Sequence, residues 1–441
     1  MAKDNAANAA RALGEAVLSN GGVTGLVSKF PLDTIPTALP SLDAGATAPL
    51  GSVTADDHAC SAALAVRREP WYELLIIGNG FDLECGLPSG FGDFIKARED
   101  CFAEAKRSGT DGEYTKTIWD HILAESGDAN WCDVEGAVAE WVTPKDPRRE
   151  PKTPLSLEYR GMPFGDALFI LQELGKRRGN YPYDPKKPAQ RVARRVYEHF
   201  QCRREPWTKE RLLTLMRDDL RILECDFSKY LKRAIEETPD YSEKSQMLMH
   251  ELLYYGLPNK DAHEIKASVL SFNYTRPHPY PAVYGEPVCY VNIHGKLGGE
   301  IVFGVDGTGH MDDLDALPFT KTYRLMALDV PNACSIVRGG AAGIGIGATD
   351  VIKFYGHSLG EADYSYFQAI FDTVGLYEGR TKLVFFTKPY GDKSEDEVRR
   401  EMMGKVIALL NAYGCTLDNN DHGKNLIHKL LIEGRLQIKI L

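Results

Sequence analysis

The most pronounced pattern in the sequence is an apolar run at residues 71–77, WYELLII, which ends at Gly78-Asn79-Gly80. Its apolar residues are continuous instead of alternating, which predicts a strand buried on both faces, as in a parallel sheet. Further strands are predicted where short runs of the same kind recur, at 268–272, 288–293, 301–303, 351–355, 382–386 and 436–440.

The pattern between these strands is helical. From about 97 to 262, apolar residues recur at three-to-four spacing, as in Leu212, Leu215, Leu220 and Leu223. One early strand, a long helical stretch and a return to alternating strands and helices predict an α/β core, residues 70–441, with a large helical insertion at about 97–262. Residues 1–69 are rich in Ala, Gly, Ser, Thr and Pro and are predicted to be a flexible N-terminal arm.

Composition excludes several classes of protein. The chain has 441 residues, 43% hydrophobic and 26% charged, which is an ordinary globular balance. Its formal charge of -10 offers no general attraction to nucleic acid or to an anionic membrane. The insertion is locally basic between 145 and 204, with interleaved tyrosines, so a solvated face and a phosphate-rich partner both stay open there.

The cysteines and the apolar runs bear on compartment. Nine cysteines are scattered without any CxxC pair, which argues against a disulfide framework and a structural zinc site and favours reduced thiols. The N-terminus has no apolar segment typical of a secretory signal, and no run of about 18 apolar residues occurs. A cytoplasmic protein without a membrane partner is therefore expected.

Four strand ends carry candidate chemistry. The first is Gly78-Asn79-Gly80-Phe81-Asp82, where glycines after a buried strand let backbone N–H groups approach a diphosphate. The others are Asn273, His294, and the loop Gly356-His357-Ser358, which offer an amide, an imidazole near neutrality and a hydroxyl for a phosphate or ribose. Because the carboxyl ends of parallel strands converge on one crevice, these groups are predicted to form one site.

Each of these features also has a purely structural interpretation. Gly-x-Gly is frequent in tight turns, an Asn after a strand satisfies its own turn, and a single His is often packed in a core. Asp363, which follows the fourth strand end, is an acceptable helix N-cap. The chain has no Walker lysine motif, HExxH or GxSxG, which removes the main support for P-loop, zincin and lipase chemistry.

The order of several uncommon strings resembles the AbiH family of bacteriophage abortive-infection proteins. These strings are IIGNGFDLECGLPSGFGDF, NWCDVE, SFNYT, NIHG, IVFGVD and FYGHSLGEADYSYF, between about residues 72 and 375. The same order is similar, more remotely, to the sirtuin-type NAD-binding fold. Two departures are the Gly-Asn-Gly-Phe-Asp first turn and the absence of a paired CxxC zinc module, which disfavours protein deacylation.

This resemblance implies a Rossmann-like, sirtuin-like core and an NAD glycohydrolase of antiphage defence, with NAD as substrate and no metal. Gly78, Asn79, Gly80, Phe81, Asp82, Gly356, His357 and Ser358 would bind NAD. Asn273 would hold the ribose hydroxyls or the attacking water, and His294 would act as base. A homo-oligomer and activation by a phage component or a second defence protein are expected. The alternatives are a nucleotide-sensing or partner-binding module without turnover, and an effector directed at nucleic acid.

Overall fold

The apolar run predicted at 71–77 forms strand β1, Glu69–Ile77, at the centre of the sheet. The computed structural model describes residues 69–109, 116–123, 131–142, 163–258, 263–277, 289–307, 312–328, 336–339 and 348–441. The predicted N-terminal arm, apart from Glu69, lies outside these residues. Within them, no helix is both long enough and apolar enough to cross a membrane.

Five more strands complete the sheet in the described residues. They are β2 (His263–Ser271), β3 (Cys289–Asn292), β4 (Val351–Tyr355), β5 (Lys382–Thr387) and β6 (Leu436–Ile440). Every pairing is parallel and the order is β3-β2-β1-β4-β5-β6, so the α/β, Rossmann-like sheet is confirmed. Ile77 lies opposite Ser271 on β2 and Tyr355 on β4, so the loops after these strands leave the sheet at the same edge.

The apolar run of β1 is continuous because the sheet is covered on both faces. Leu74 and Ile76 pack in one core with the helices that follow β4 and β5, whereas Leu75 and Ile77 pack in a second core on the opposite face. All four side chains are fully buried. Each contributes about 1.5–3 kcal/mol relative to an exposed position. Two-sided burial therefore explains the lack of alternation in the sequence.

Helices separate β1 from β2 in the described residues. They are α1 (Asn79–Glu84), α2 (Phe91–Ser108), α3 (Ile118–Leu123), α4 (Trp131–Val142), α5 (Pro163–Lys176), α6 (Pro188–Arg203), α7 (Lys209–Glu237) and α8 (Tyr241–Tyr254). The helices from α2 to α7 share a third apolar core, which also receives Tyr274 and Phe303 from the loops after β2 and β3. The helical stretch thus packs against the carboxyl edge of the sheet.

The remaining helices follow the later strands. They are α9 (Lys321–Met326), α10 (Tyr364–Thr373), α11 (Glu395–Gly414) and α12 (Asn420–Ile432). Ser394 and Glu397 form a reciprocal capping box that fixes the start of α11. A 3-10 turn at Glu361–Asp363 precedes α10 and carries Asp363 to the edge of the sheet.

Two sequence-based expectations are wrong. Residues 301–303 do not form a strand, and only Ile301 makes an isolated bridge, to Gly295. The reason is that Phe303 uses both its backbone groups on side chains: its N–H donates to Glu224 at 2.6 Å and its carbonyl accepts from Arg324 at 2.7 Å. The expectation of reduced thiols fails at Cys289, which is disulfide-bonded.

Candidate functional site at the carboxyl edge of the sheet

The loops after β1 and β4 pack directly on each other at the centre of the sheet. The N–H of Gly78 donates to the Tyr355 carbonyl at 3.0 Å, and that of Gly80 to the Gly356 carbonyl at 2.8 Å. A Cβ on Gly356 would lie 2.4 Å from the Phe81 nitrogen, and one on Gly80 would lie 2.8 Å from the Gly356 Cα. These glycines are therefore required for the close approach of two loops at the switch point of the sheet.

This packing limits the phosphate-binding interpretation of the first loop. The N–H groups of Gly78 and Gly80 are used on the β4 loop, and that of Phe81 donates to the Gly78 carbonyl at 2.9 Å. The Phe81 ring is fully buried and lies edge-on to Tyr355. Gly78, Gly80 and Phe81 thus hold the site together and do not direct N–H groups at a ligand.

A cavity of about 100 Å³ opens beside these loops. Eight of the ten predicted site residues line it, namely Gly78, Asn79, Asp82, Asn273, His294, Gly356, His357 and Ser358. The other two, Gly80 and Phe81, do not line it. The cavity is smaller than the roughly 300–1,000 Å³ of typical small-molecule sites, so it accommodates one ring-sized or sugar-sized group.

Asn273 presents an unpartnered amide to this cavity. The side chain is 4% exposed, and neither its oxygen nor its nitrogen has a hydrogen bond. The turn it occupies is held by others: its N–H donates to the Ser271 hydroxyl at 3.2 Å, and Asn292 donates to its carbonyl at 2.8 Å. The Asn273 side chain therefore does not stabilise its own turn. An unsatisfied buried amide costs about 1–3 kcal/mol, so this side chain indicates a position for a ligand group or a water.

His294 and His357 meet at a single carboxylate, that of Asp363. The Nε2 atom of His294 lies 3.3 Å from one Asp363 oxygen, and the Nε2 atom of His357 lies 3.3 Å from the other. Nδ1 of His357 accepts from the Leu359 N–H at 2.9 Å, which assigns its proton to Nε2, facing Asp363. Asp363 occupies the N-cap position of α10, as its structural interpretation allowed, but its side chain makes no capping hydrogen bond.

The protonation states follow from burial and from one lysine. Burial, together with the Lys321 ammonium, lowers the pKa of His294 to about 4 although Asp363 opposes this, so the imidazole is neutral at pH 7. Burial disfavours the Asp363 carboxylate, but hydrogen bonds from both histidines and the charge of Lys321 hold its pKa well below the usual range. Asp363 is therefore an anion beside a neutral histidine.

Lys321 ties this carboxylate to the helical stretch. Its ammonium lies 2.7 Å from Asp363 and 2.6 Å from Glu135 on α4, and the side chain is 2% exposed. Burial raises the pKa of Glu135 to about 7, although the Lys321 ammonium acts to lower it. Glu135, Lys321 and Asp363 are distant in sequence and were not recognised as site residues. Glu135 lies in the NWCDVE string and Asp363 in the FYGHSLGEADYSYF string, whereas no string marked Lys321.

Asp82 lies on another wall of the cavity and is held by hydroxyl groups. It accepts from the Tyr241 hydroxyl at 2.7 Å and from the Thr275 hydroxyl at 3.0 and 2.8 Å. Burial raises its pKa to about 6, although these donors and the nearby Asn273 amide act against the increase. Ser89, also missed by sequence analysis, lines the cavity and donates to the Asn79 side-chain oxygen at 2.7 Å, which fixes the orientation of the Asn79 amide.

The basic residues of the insertion are partly neutralised by neighbouring groups. Lys176 and Arg177 both pair with Glu173, at 2.9 and 3.2 Å, and Arg194 pairs with Glu198 at 3.1 Å. Arg148 and Arg149 lie outside the described residues. The described part of this stretch thus resembles a solvated helix face more than a continuous phosphate-binding groove.

The fold and the cavity define a doubly wound α/β protein with a polar site at the switch point of its sheet. The profile of the bacteriophage abortive infection AbiH family matches residues 74–385, which include every strand end of this site. The chain belongs to the AbiH family, and its role is in phage abortive infection. No curated protein and no solved structure matches it.

Proposed function

We propose that this AbiH protein cleaves NAD at the nicotinamide–ribose bond and thereby stops the growth of an infected cell. The observation that carries the proposal is the buried, unpartnered amide of Asn273 in one cavity with neutral His294 and anionic Asp363. An amide donates to and accepts from ribose hydroxyls or water, which matches the unsatisfied atoms found there.

Cleavage of this bond requires a group that stabilises positive charge on the ribose and a water molecule that attacks it. The bond from the ribose anomeric carbon to the pyridinium nitrogen breaks, and nicotinamide leaves with the electron pair as a neutral molecule. Positive charge then develops on the ribose, and a buried carboxylate such as Asp363 stabilises it more strongly than water does. Water adds to the anomeric carbon and loses a proton, giving ADP-ribose. Neutral His294 orients a ribose hydroxyl by accepting its proton in a hydrogen bond.

The size of the cavity fits a part of NAD. About 100 Å³ holds one sugar-sized group, the ribose that carries nicotinamide, so the rest of the dinucleotide extends past the exposed Ser358 on the rim. Asn79 and Ser358 then supply the polar contacts of that path, because the N–H groups of Gly78 and Gly80 are already used.

The test is a cleavage assay with matched variants. The purified full chain, alone and with lysate from infected cells, is incubated with NAD, and nicotinamide and ADP-ribose are quantified by chromatography. Asn273→Ala and His294→Ala are expected to lose cleavage and phage protection, whereas the exposed controls Asn411→Ala and His428→Ala keep both. Absence of both products in every state, with full protection by the cavity variants, refutes the proposal. Recovery of bound NAD intact after long incubation identifies a sensor instead.

A further inference from the structure

The proposed reaction requires a group that takes the proton of the attacking water, and the cavity contains a second acidic side chain that the mechanism above does not use. We infer that Asp82 is this proton acceptor. This inference rests on the proposed function and assigns a catalytic role to a carboxylate on the wall formed by α1.

The geometry of Asp82 suits this role. Tyr241 from α8 and Thr275 from the loop after β2 donate to the carboxylate and fix its orientation. An ionised carboxylate has about four lone-pair positions, so these two hydroxyl donors leave capacity for at least one more hydrogen bond. The Asn273 amide lies beside Asp82, and its own atoms make no hydrogen bond, so a water that contacts both residues would be held by the amide and activated by the carboxylate.

Asp82 is also a stronger base than His294, the other candidate for this role. Burial raises its pKa to about 6, whereas burial lowers that of His294 to about 4. A general base works best when its pKa lies near the working pH, because it is then both deprotonated and basic. Asp82 is mostly ionised at pH 7 and holds a proton about a hundredfold more strongly than His294 does.

The groups that face Asp82 do not titrate in the same range. They are Tyr241 on α8, Cys85 at the end of α1 and Tyr290 on β3. Burial raises the pKa of the Cys85 thiol to about 12 and raises those of both tyrosines above their ordinary values. All three stay neutral near pH 6. A base at Asp82 therefore predicts an acid limb near pH 6 in the rate of NAD cleavage, and Asp82→Asn must remove that limb, because a limb from Glu135, whose pKa is raised to about 7, would remain in this variant.

The proton transfer and the cleavage conserve atoms and charge. One O–H bond of the water breaks and its proton passes to the Asp82 carboxylate, while the freed electron pair forms the new C–O bond at the anomeric carbon. The C–N bond breaks and its electron pair leaves with nicotinamide. Asp82 then releases the proton to solvent, so the sum is NAD⁺ and water giving ADP-ribose, nicotinamide and H⁺.

The experiment measures NAD cleavage against pH in the full chain. Asp82→Asn keeps the size of the side chain and is expected to lose about 10²-fold or more in rate together with the acid limb, as is typical of a removed general base. The exposed control Asp100→Asn keeps both. Tyr241→Phe removes one donor to the carboxylate, so its acid limb is expected to move to higher pH by about one pH unit.

The movement of the limb in Tyr241→Phe is a readout that a merely structural role would not give, and it remains informative if Asp82→Asn does not fold. Wild-type cleavage with an unchanged rate in Asp82→Asn, or with a limb that Tyr241→Phe leaves in place, overturns the role of Asp82 and leaves the proposed function standing. No cleavage by wild type in any state refutes the proposed function and this inference together.

Discussion

The contact between the β1 and β4 loops makes a quantitative prediction for Gly356→Ala. Gly356 has a φ of +69°, and its added Cβ would lie 2.4 Å from the Phe81 nitrogen and 2.7 Å from the Gly80 carbonyl carbon. Both atoms belong to backbone, so no flexible side chain can yield. The variant must therefore separate the two loops that form the wall of the cavity.

Gly86→Ala provides a matched control for this substitution. Gly86 has a similar φ of +83°, but its Cβ would meet nothing within 4 Å. Both variants pay the left-handed backbone penalty of about 1–2 kcal/mol, and both gain equally from a stiffer unfolded chain. Only Gly356→Ala adds the overpacking cost of about 1–3 kcal/mol, so we expect a total loss of about 2–5 kcal/mol in its free energy of unfolding.

The assay is urea-induced unfolding followed by circular dichroism for wild type and both variants. Gly86→Ala is expected to lower the midpoint slightly and Gly356→Ala to lower it about two to three times as much, by the ratio of the two free-energy losses. Equal losses in the two variants would show that the loops tolerate a methyl group between them. The glycines would then have to be explained by ligand approach instead of loop packing.

Three further predictions concern buried charges. Lys321→Met leaves two buried carboxylates without their cation and is expected to lower the free energy of unfolding, measured by thermal unfolding, by about 3–5 kcal/mol. The exposed control Lys405→Met should lose almost nothing, and a small loss in Lys321→Met would mean that these carboxylates are already protonated. The stability that neutral His294 contributes is full above its unfolded pKa of about 6.5 and is lost as pH falls toward about 4, by at most about 1.4 kcal/mol per pH unit. The difference in free energy of unfolding between wild type and His294→Gln should therefore change across that pH window, and a constant difference would contradict the lowered pKa. Lys353→Met leaves the buried Glu73 carboxylate, 2.9 Å from the lysine, without its partner and should lower the free energy of unfolding by about 3–5 kcal/mol. The double variant with Glu73→Leu should regain most of this loss, and no recovery would refute the pairing.

Patterning predicted most of the sheet because burial on two faces leaves a local trace. The bounds of β4 and β6 agree with their apolar runs, and β1 differs only by two residues at its start. Residues 301–303 have the same local composition, yet they form no strand because Glu224 and Arg324 satisfy Phe303. Composition does not reveal which partner, strand or side chain, will take a backbone hydrogen bond.

The sequence by itself determined the fold class, the family and the position of Asn273, His294 and Ser358 at strand ends, since these depend on local apolar runs and on the common edge of a parallel sheet. Only the tertiary structure decided how those residues are used. It joined both histidines to Asp363, and it assigned the glycines to loop packing. Hydrogen bonds and pKa values depend on neighbours brought together from distant parts of the chain, and that juxtaposition leaves no periodic signal in the sequence.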